Sequence, residues 1–249
     1  MDLIGRRRRD RPAGPPATAC AAVPAPAVPA PAGVDRAPAV PRGRAEVPDV
    51  PLVEVPFAVV DVETTGGSAA HNFLTEVAVA VFVGGRRVAV FDQLVDPGVP
   101  IPPFISSLTG ISDATVAGAP PIADVLPELC RHLAGCVLVG HNLPFDVSFL
   151  DAALVANDLA PLDQLRVDTL VLARRLLHGA VPNFKLGTLA ATLALPNQPS
   201  HRALADVLAT ADLLHWQLGR LAPAGVLRLP QLLAVGGRGS GATGAPCRA

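Results

Sequence analysis

Phe57-Ala58-Val59-Val60-Asp61-Val62-Glu63, closed by Thr64-Thr65-Gly66-Gly67, is the stretch on which the fold turns. A short apolar, β-branched run ending in a glycine turn reads as a buried strand. Side chains two apart on a strand share a face, about 6.6 Å from one another along the chain, so Asp61 and Glu63 project together from its end. Two carboxylates so placed repel unless something positive sits between them. Alone, they read as a pair of solvated acids.

Outward from this strand, Val77–Val83 and Val88–Val95 are two further β-branched runs, and Gly84-Gly85 between them predicts a hairpin. The sheet should therefore open antiparallel. Helical periodicity follows over Ile122–Leu133, then a strand at Val137–Gly140 feeding a helix over Pro144–Asn157. A short segment reaches Asp168, and helices are expected near Thr169–Leu177, Lys185–Leu193 and Ala203–Leu218. Strands first, then alternating strands and helices, predict an α/β fold, a mixed sheet with helices packed on it.

The flanks differ in composition. Of 27 prolines in 249 residues, 12 precede Phe57, and proline at that density blocks helix and ladder alike. Residues 1–56, with the Arg6–Arg9 run, read as a disordered Pro/Ala/Arg-rich arm, 57–220 as the folded domain, and 221–249 as a flexible Leu/Gly-rich tail. The 57–220 stretch carries 9 basic and 15 acidic residues. Such a balance argues against gripping nucleic acid through an overall positive field, but it suits acids that hold metal ions. Apolar runs are only strand-sized, so no membrane span is expected. The Arg6–Arg9 flank lacks the apolar segment of an export signal, and Cys20, Cys130, Cys136 and Cys247 follow neither disulfide nor zinc spacing. A cytoplasmic protein with reduced thiols is the expectation.

Two further clusters could carry chemistry. In His141-Asn142-Leu143-Pro144-Phe145-Asp146 a strand ends and a proline opens a helix, which puts Asp146 in the first turn. There it could simply complement the helix dipole. In His201-Arg202-Ala203-Leu204-Ala205-Asp206 a histidine just before a helix precedes an acid at the edge of a buried stripe made by Leu204, Val207, Leu208, Ala211, Leu214 and Leu218. Phe145 and Phe149, four apart on one helix, read as core.

Together, Asp61-Val62-Glu63-Thr64-Thr65-Gly66, His141-Asn142-x-x-Phe145-Asp146 and His201-x-x-x-x-Asp206 resemble the DEDD-h family of 3′–5′ exonucleases in order and spacing. The resemblance spans about Phe57 to Leu218 and includes Thr75-Glu76-Val77-Ala78, Leu108-Thr109-Gly110-Ile111 and Asp168-Thr169-Leu170. It is strongest toward the branch holding the proofreading epsilon subunits of bacterial DNA polymerase III and their stand-alone relatives. Gly67 departs from the pattern, which more often has an apolar residue there. The resemblance implies an RNase H-like fold and two divalent cations, Mg²⁺ or Mn²⁺, held by Asp61, Glu63, Asp146 and Asp206. Hard oxygen ligands suit such ions. It places His201 as general base, a task for which imidazole is apt near neutral pH. It sets Thr64, Thr65 and Asn142 against the terminal nucleotide.

The implied activity is removal of nucleoside 5′-monophosphates from the 3′ end of DNA, in proofreading or repair. RNA trimming cleaves the same bond and stands as the alternative, beside a non-catalytic interaction module with the same fold. Arg86, Arg87, Arg174, Arg175, Lys185 and Arg202 are the main basic candidates for phosphate contacts. A proofreading role would require a polymerase on another chain. Gln231-Leu232-Leu233-Ala234-Val235 is faintly similar to peptides that bind the bacterial sliding clamp, though a frayed helix end accounts for it as well. Gly239-Ser240-Gly241-Ala242-Thr243-Gly244 matches a dinucleotide-binding fingerprint but has too little chain after it for the required helix.

Overall fold

The strand at Phe57–Thr64, β1, lies in the interior of a six-stranded sheet ordered β3-β2-β1-β4-β5-β6. The structure is a computed structural model and describes residues 47–238. Antiparallel partners of β1 are β2, Leu74–Val83, and beyond it β3, Arg86–Leu94. On the other side β4, Val137–Gly140, and β5, Arg166–Asp168, run parallel, and β6, Gly237–Arg238, closes that edge antiparallel to β5. Gly84 and Gly85 take φ of 56° and 76°, the left-handed pair that a two-residue hairpin needs, and this is why two glycines sit there.

Alternation along β1 sorts its side chains into two cores. Ala58, Val60 and Val62 face α3 (Ile122–Leu133) and α4 (Leu143–Ala156), packing with Leu126, Leu129, Leu138 and Leu150. Phe57 and Val59 face α7 (Ala203–Leu221), packing with Ala203, Val207, Ala211 and Leu214. The small residues on α7 let it approach the sheet closely. Continuing the period of two puts Asp61 and Glu63 on this α7 face. Two short helices, α1 (Pro103–Thr109) and α2 (Asp113–Val116), follow β3, while α5 (Thr169–Leu176) and α6 (Leu186–Thr192) pack against α7 through Ala173, Leu189, Ala190 and Leu213.

The packed chain is longer than the expected 57–220. Val47, Val50, Leu52 and Val55 join the α7-side core, so the arm boundary at 56 is too late. On the C-terminal side α8, Leu229–Gly236, buries Leu229, Leu232 and Leu233, and the expected flexible tail is folded up to Arg238. The Gln231–Val235 segment therefore spends its leucines in the core, and the Gln231 side chain accepts the Leu227 and Arg228 N–H groups; it is not a free clamp-binding peptide. The two flanks are stitched to each other: Leu52 N–H donates to Leu227 O at 2.9 Å, Leu229 N–H to Val50 O at 3.0 Å, and Arg228 pairs with Asp49. The rest of the arm and tail, including the Gly239–Gly244 motif, lies outside the described residues. Among the described residues, Cys130 and Cys136 are free thiols and no helix is long and apolar enough to cross a membrane.

Leu232 is fully buried, so Leu232→Ala should destabilise the domain by about 2–5 kcal/mol, the cost of a buried leucine cavity. Urea unfolding checks this, and a flexible tail would instead give no change.

Candidate active site

Ladder lengths create the site. β4 pairs with β1 only as far as Val59, so the end of β1 projects beyond its parallel neighbour and the Val62 N–H has no strand partner. Asp146, in the first turn of α4, fills the gap: its Oδ1 accepts the Val62 N–H at 3.2 Å. The turn that delivers it is constrained. Asn142 sits in the left-handed region at φ 70°, and its N–H donates to Asp168 Oδ1 at 3.0 Å, while Asp168 also caps α5 through the Leu170 N–H. His141 is braced by Thr169 Oγ1 at 2.9 Å and Phe184 O at 2.8 Å. Leu143 and the following turn then carry Asp146 down to the sheet, where it is almost fully buried.

The third cluster arrives from the opposite side of the sheet's end. Asp206 lies in the first turn of α7 and accepts the Ser200 N–H at 2.8 Å through Oδ1, so the loop before the helix wraps its own carboxylate. His201, within that loop, has φ 57° and an exposed side chain. Carboxylate oxygens of Glu63 and Asp206 and a ring nitrogen of His201 all lie within 4.8 Å of one another. Asp61 and Asp146 are outside this trio, but Asp61 feels the charges of Asp146, Asp206 and Glu63.

Electrostatics link all four acids. Burial pushes the Asp61 carboxyl well above the carboxylate range, and Asp146, Asp206, Glu63 and Glu76 push it further. Asp146 is raised in the same way, by burial first and then by Asp168 and Glu63, against the opposing pull of its backbone donors. Glu63 is pushed from 4.5 to about 7 by burial, Asp206 and Glu76, with Arg202 opposing. Asp206 is raised by burial despite the Ser200, His201 and Arg202 amides. Carboxyls held above their ordinary range by burial first, and for Asp61, Glu63 and Asp146 also by neighbouring acids, form a site that fits hard divalent cations, whose charge would favour the ionised forms. Their oxygen-only donor set, with one imidazole, suits Mg²⁺ or Mn²⁺ and lacks the thiolates of a structural zinc site.

The expected nucleotide contacts are placed less uniformly. Thr64 and Thr65 are buried in the turn after β1. The Thr64 hydroxyl donates to Gly66 O at 2.7 Å, and Thr65 Oγ1 accepts the Phe73 N–H at 3.0 Å. Thr64 thus has its proton committed, whereas Thr65 can still donate. Asn142 is exposed beside Asp146, its backbone fixed and its side chain making no cap. Phe145 and Phe149 pack together with ring centroids 5.0 Å apart, and Phe149 is core.

Sequence reasoning gave no role to Glu76, Asp168 or Ser200. Asp168 was findable as an N-cap, since an acid before an apolar helical run is a start signal. Glu76 gave no local signal. It is 2% exposed in β2, and its cationic partner among the described residues is Arg202, far along the chain.

A carboxyl whose folded pKa is raised favours the folded state while protonated. The Glu63 contribution is complete below about 4.5 and is lost as pH rises through about 7. In metal-free protein, Glu63→Gln should therefore gain stability relative to the parent between pH 4.5 and 8. Thermal melts of both proteins in chelator across that range check it, and a pH-independent difference would show that Glu63 is not repelled.

The exonuclease family model matches residues 58–214, a span that contains every one of these acids and His201. A bifunctional exonuclease/endonuclease protein named in Mycobacterium tuberculosis is 40% identical over 185 residues, covering 72% of this chain and 29% of its own length. The PolC-type DNA polymerase III of Streptococcus thermophilus is 40% identical over 166 residues, covering 66% of this chain and 11% of its own. The chain thus spans under a third of these relatives. Among solved structures, Exonuclease X in complex with 5′ overhanging duplex DNA is 29% identical with a TM-score of 0.54, over 67% of this chain and 93% of that one. E. coli Exonuclease I with a dT13 oligonucleotide shares the fold, with a TM-score of 0.60 at 20% identity over 69% of this chain and 43% of that one. By the family match and the site it encloses, the chain belongs to the exonuclease family.

Proposed function

We propose that the protein is a metal-dependent 3′–5′ exonuclease that shortens DNA one nucleotide at a time, releasing nucleoside 5′-monophosphates. One observation carries the reading: carboxylate oxygens of Glu63 and Asp206 and a ring nitrogen of the exposed His201 lie within 4.8 Å of one another, with Asp61 and Asp146 acting on the same cluster through their charge. DNA is favoured as substrate because a 40% identical relative is a DNA polymerase III and a 29% identical solved neighbour is bound to duplex DNA.

Asp61, Glu63, Asp146 and Asp206 would hold the divalent cations. Bound there, Mg²⁺ or Mn²⁺ would supply Lewis-acid polarisation of the phosphodiester and charge stabilisation for the attacking and leaving oxygens. Asp146 and Asp206 are pre-oriented by the Val62 and Ser200 amides, so the acids need not reorganise on loading. His201 takes up the proton of the attacking water at a ring nitrogen, and its exposure lets it pass that proton to solvent. The water oxygen bonds to phosphorus as the bond to the neighbouring 3′ oxygen breaks. A 3′-hydroxyl remains on the shortened strand. Thr64, Thr65 and Asn142 are assigned to the terminal nucleotide in this reading, on their resemblance to the family's motifs. With Arg202 engaged by Glu76, the basic surface near the acids is sparse, which favours a footprint of a few nucleotides and a shallow salt dependence.

The test is a time course on matched single-stranded DNA and RNA oligonucleotides carrying a 5′ label, with Mg²⁺ or Mn²⁺ and with Asp206→Ala alongside. A DNA ladder shrinking from the 3′ end, abolished by chelator and in the variant, is expected. Faster loss of the RNA would move the substrate to RNA. Intact strands of both kinds would favour a binding module that retains the exonuclease fold.

A further inference from the structure

Glu63 and Glu76 are direct cross-strand partners in β1 and β2, an arrangement of like charges that should push strands apart. Glu76 is also among the most buried charged side chains of the domain, at 2% exposure, so it has little water to screen it. Its compensation comes from 126 residues away. Arg202 grips it in a fork, Nε at 3.1 Å from Oε2 and Nη2 at 2.6 Å from Oε1. The Ala203 N–H donates to Oε2 at 2.8 Å. Arg202 is the N-cap residue of α7 and supplies no side-chain cap of its own. Glu76 therefore caps the helix from another element, meeting one of the orphan N–H groups with a negative charge that also suits the helix dipole.

We propose that Glu76 and Arg202 are a positioning pair that fixes the start of α7 against β2, and thereby holds His201 and Asp206 at their working distance from Glu63. This rests on the exonuclease reading of the same site. His201 has an unfavourable left-handed backbone. What keeps it there is the bond from Ser200 N–H to Asp206 on one side and the Arg202 clamp on the other. If the clamp is released, the loop is free to relax its strained residue and α7 can begin elsewhere. Because Glu76 faces Glu63 on the sheet, the clamp references the α7 residues directly to a residue of β1. Asp92 on β3 and Glu63 on β1 also act on this guanidinium through their charge, but neither makes a bond to it. The fork on Glu76 therefore carries the attachment.

The test uses the full chain with Glu76→Gln, Arg202→Met, the double variant, and Arg131→Met as a matched arginine control on the surface. kcat and KM are measured on a 5′-labelled single-stranded DNA oligonucleotide with Mn²⁺, thermal melts report folding, and calorimetry with Mn²⁺ alone reports the acids. Each single variant should lose roughly 100-fold in kcat, the cost of misplacing catalytic groups by about 1 Å, with KM within about twofold. The double variant should be no worse than the weaker single, since the two act as one unit. Mn²⁺ affinity should fall about tenfold in each, and the control should behave as the parent. Should Glu76→Gln fail to fold, Arg202→Met, whose side chain is 45% exposed, carries the test.

Unchanged kcat in a folded variant overturns the proposal, as does a double loss equal to the product of the singles. A rise in KM alone in Arg202→Met would make Arg202 a substrate contact instead. If the parent shows no chelator-sensitive ladder, the exonuclease reading fails separately, and Mn²⁺ affinity unchanged by Glu76→Gln, or absent in the parent, still overturns the clamp.

Discussion

Repulsion among carboxylates packed at the end of one strand is the constraint around which this domain is organised. Asp61, Glu63, Asp146 and Asp206 arrive from three elements, each is pushed upward in pKa by burial, and all but Asp206 are pushed further by neighbouring acids. A fold that simply maximised its own stability would not gather them. The apolar packing on both faces of β1 and β2, where nearly every residue is buried, supplies the cohesion that tolerates the gathering.

Backbone amides do much of the local work. Val62 N–H is freed by the short β4 and captured by Asp146; Ser200 N–H is captured by Asp206; Asn142 N–H is captured by Asp168. Asp146, Asp206 and the turn that opens α4 are thereby tied by backbone donors, which fix direction without cancelling charge. The two left-handed residues of the site, Asn142 and His201, mark where the chain is bent hardest to bring helix starts to the sheet. Positive φ at asparagine and histidine is less costly than at a branched residue, which explains these residue types at the bends as much as any chemistry does.

The elements legible from sequence were those with their own periodic signal. β4 and α3 match their expected bounds because an apolar run or stripe between turn residues needs no distant partner to declare itself. β2 begins at Leu74, earlier than Val77, because the apolar β-branched run that marks it starts only after Glu76, whose buried charge is compensated by Arg202. The region after Arg220 reads as tail from its Leu, Gly and Ala content, and only contact with β5 and the 47–55 segment turns it into α8 and β6. The acids and His201 could be picked out by spacing along the chain. Their support could not, because Glu76 with Arg202, and Asp168 with Asn142, are joined only by tertiary structure.

The stitching of Val50 and Leu52 to Leu227 and Leu229 sets how this domain can be joined to others. Entry and exit strands meet beside the start of β1, while the acids lie at its far end, six residues and roughly 20 Å on at the rise of an extended chain. A domain built this way keeps the seam between its two flanking segments at one end of β1 and its cluster of acids at the other.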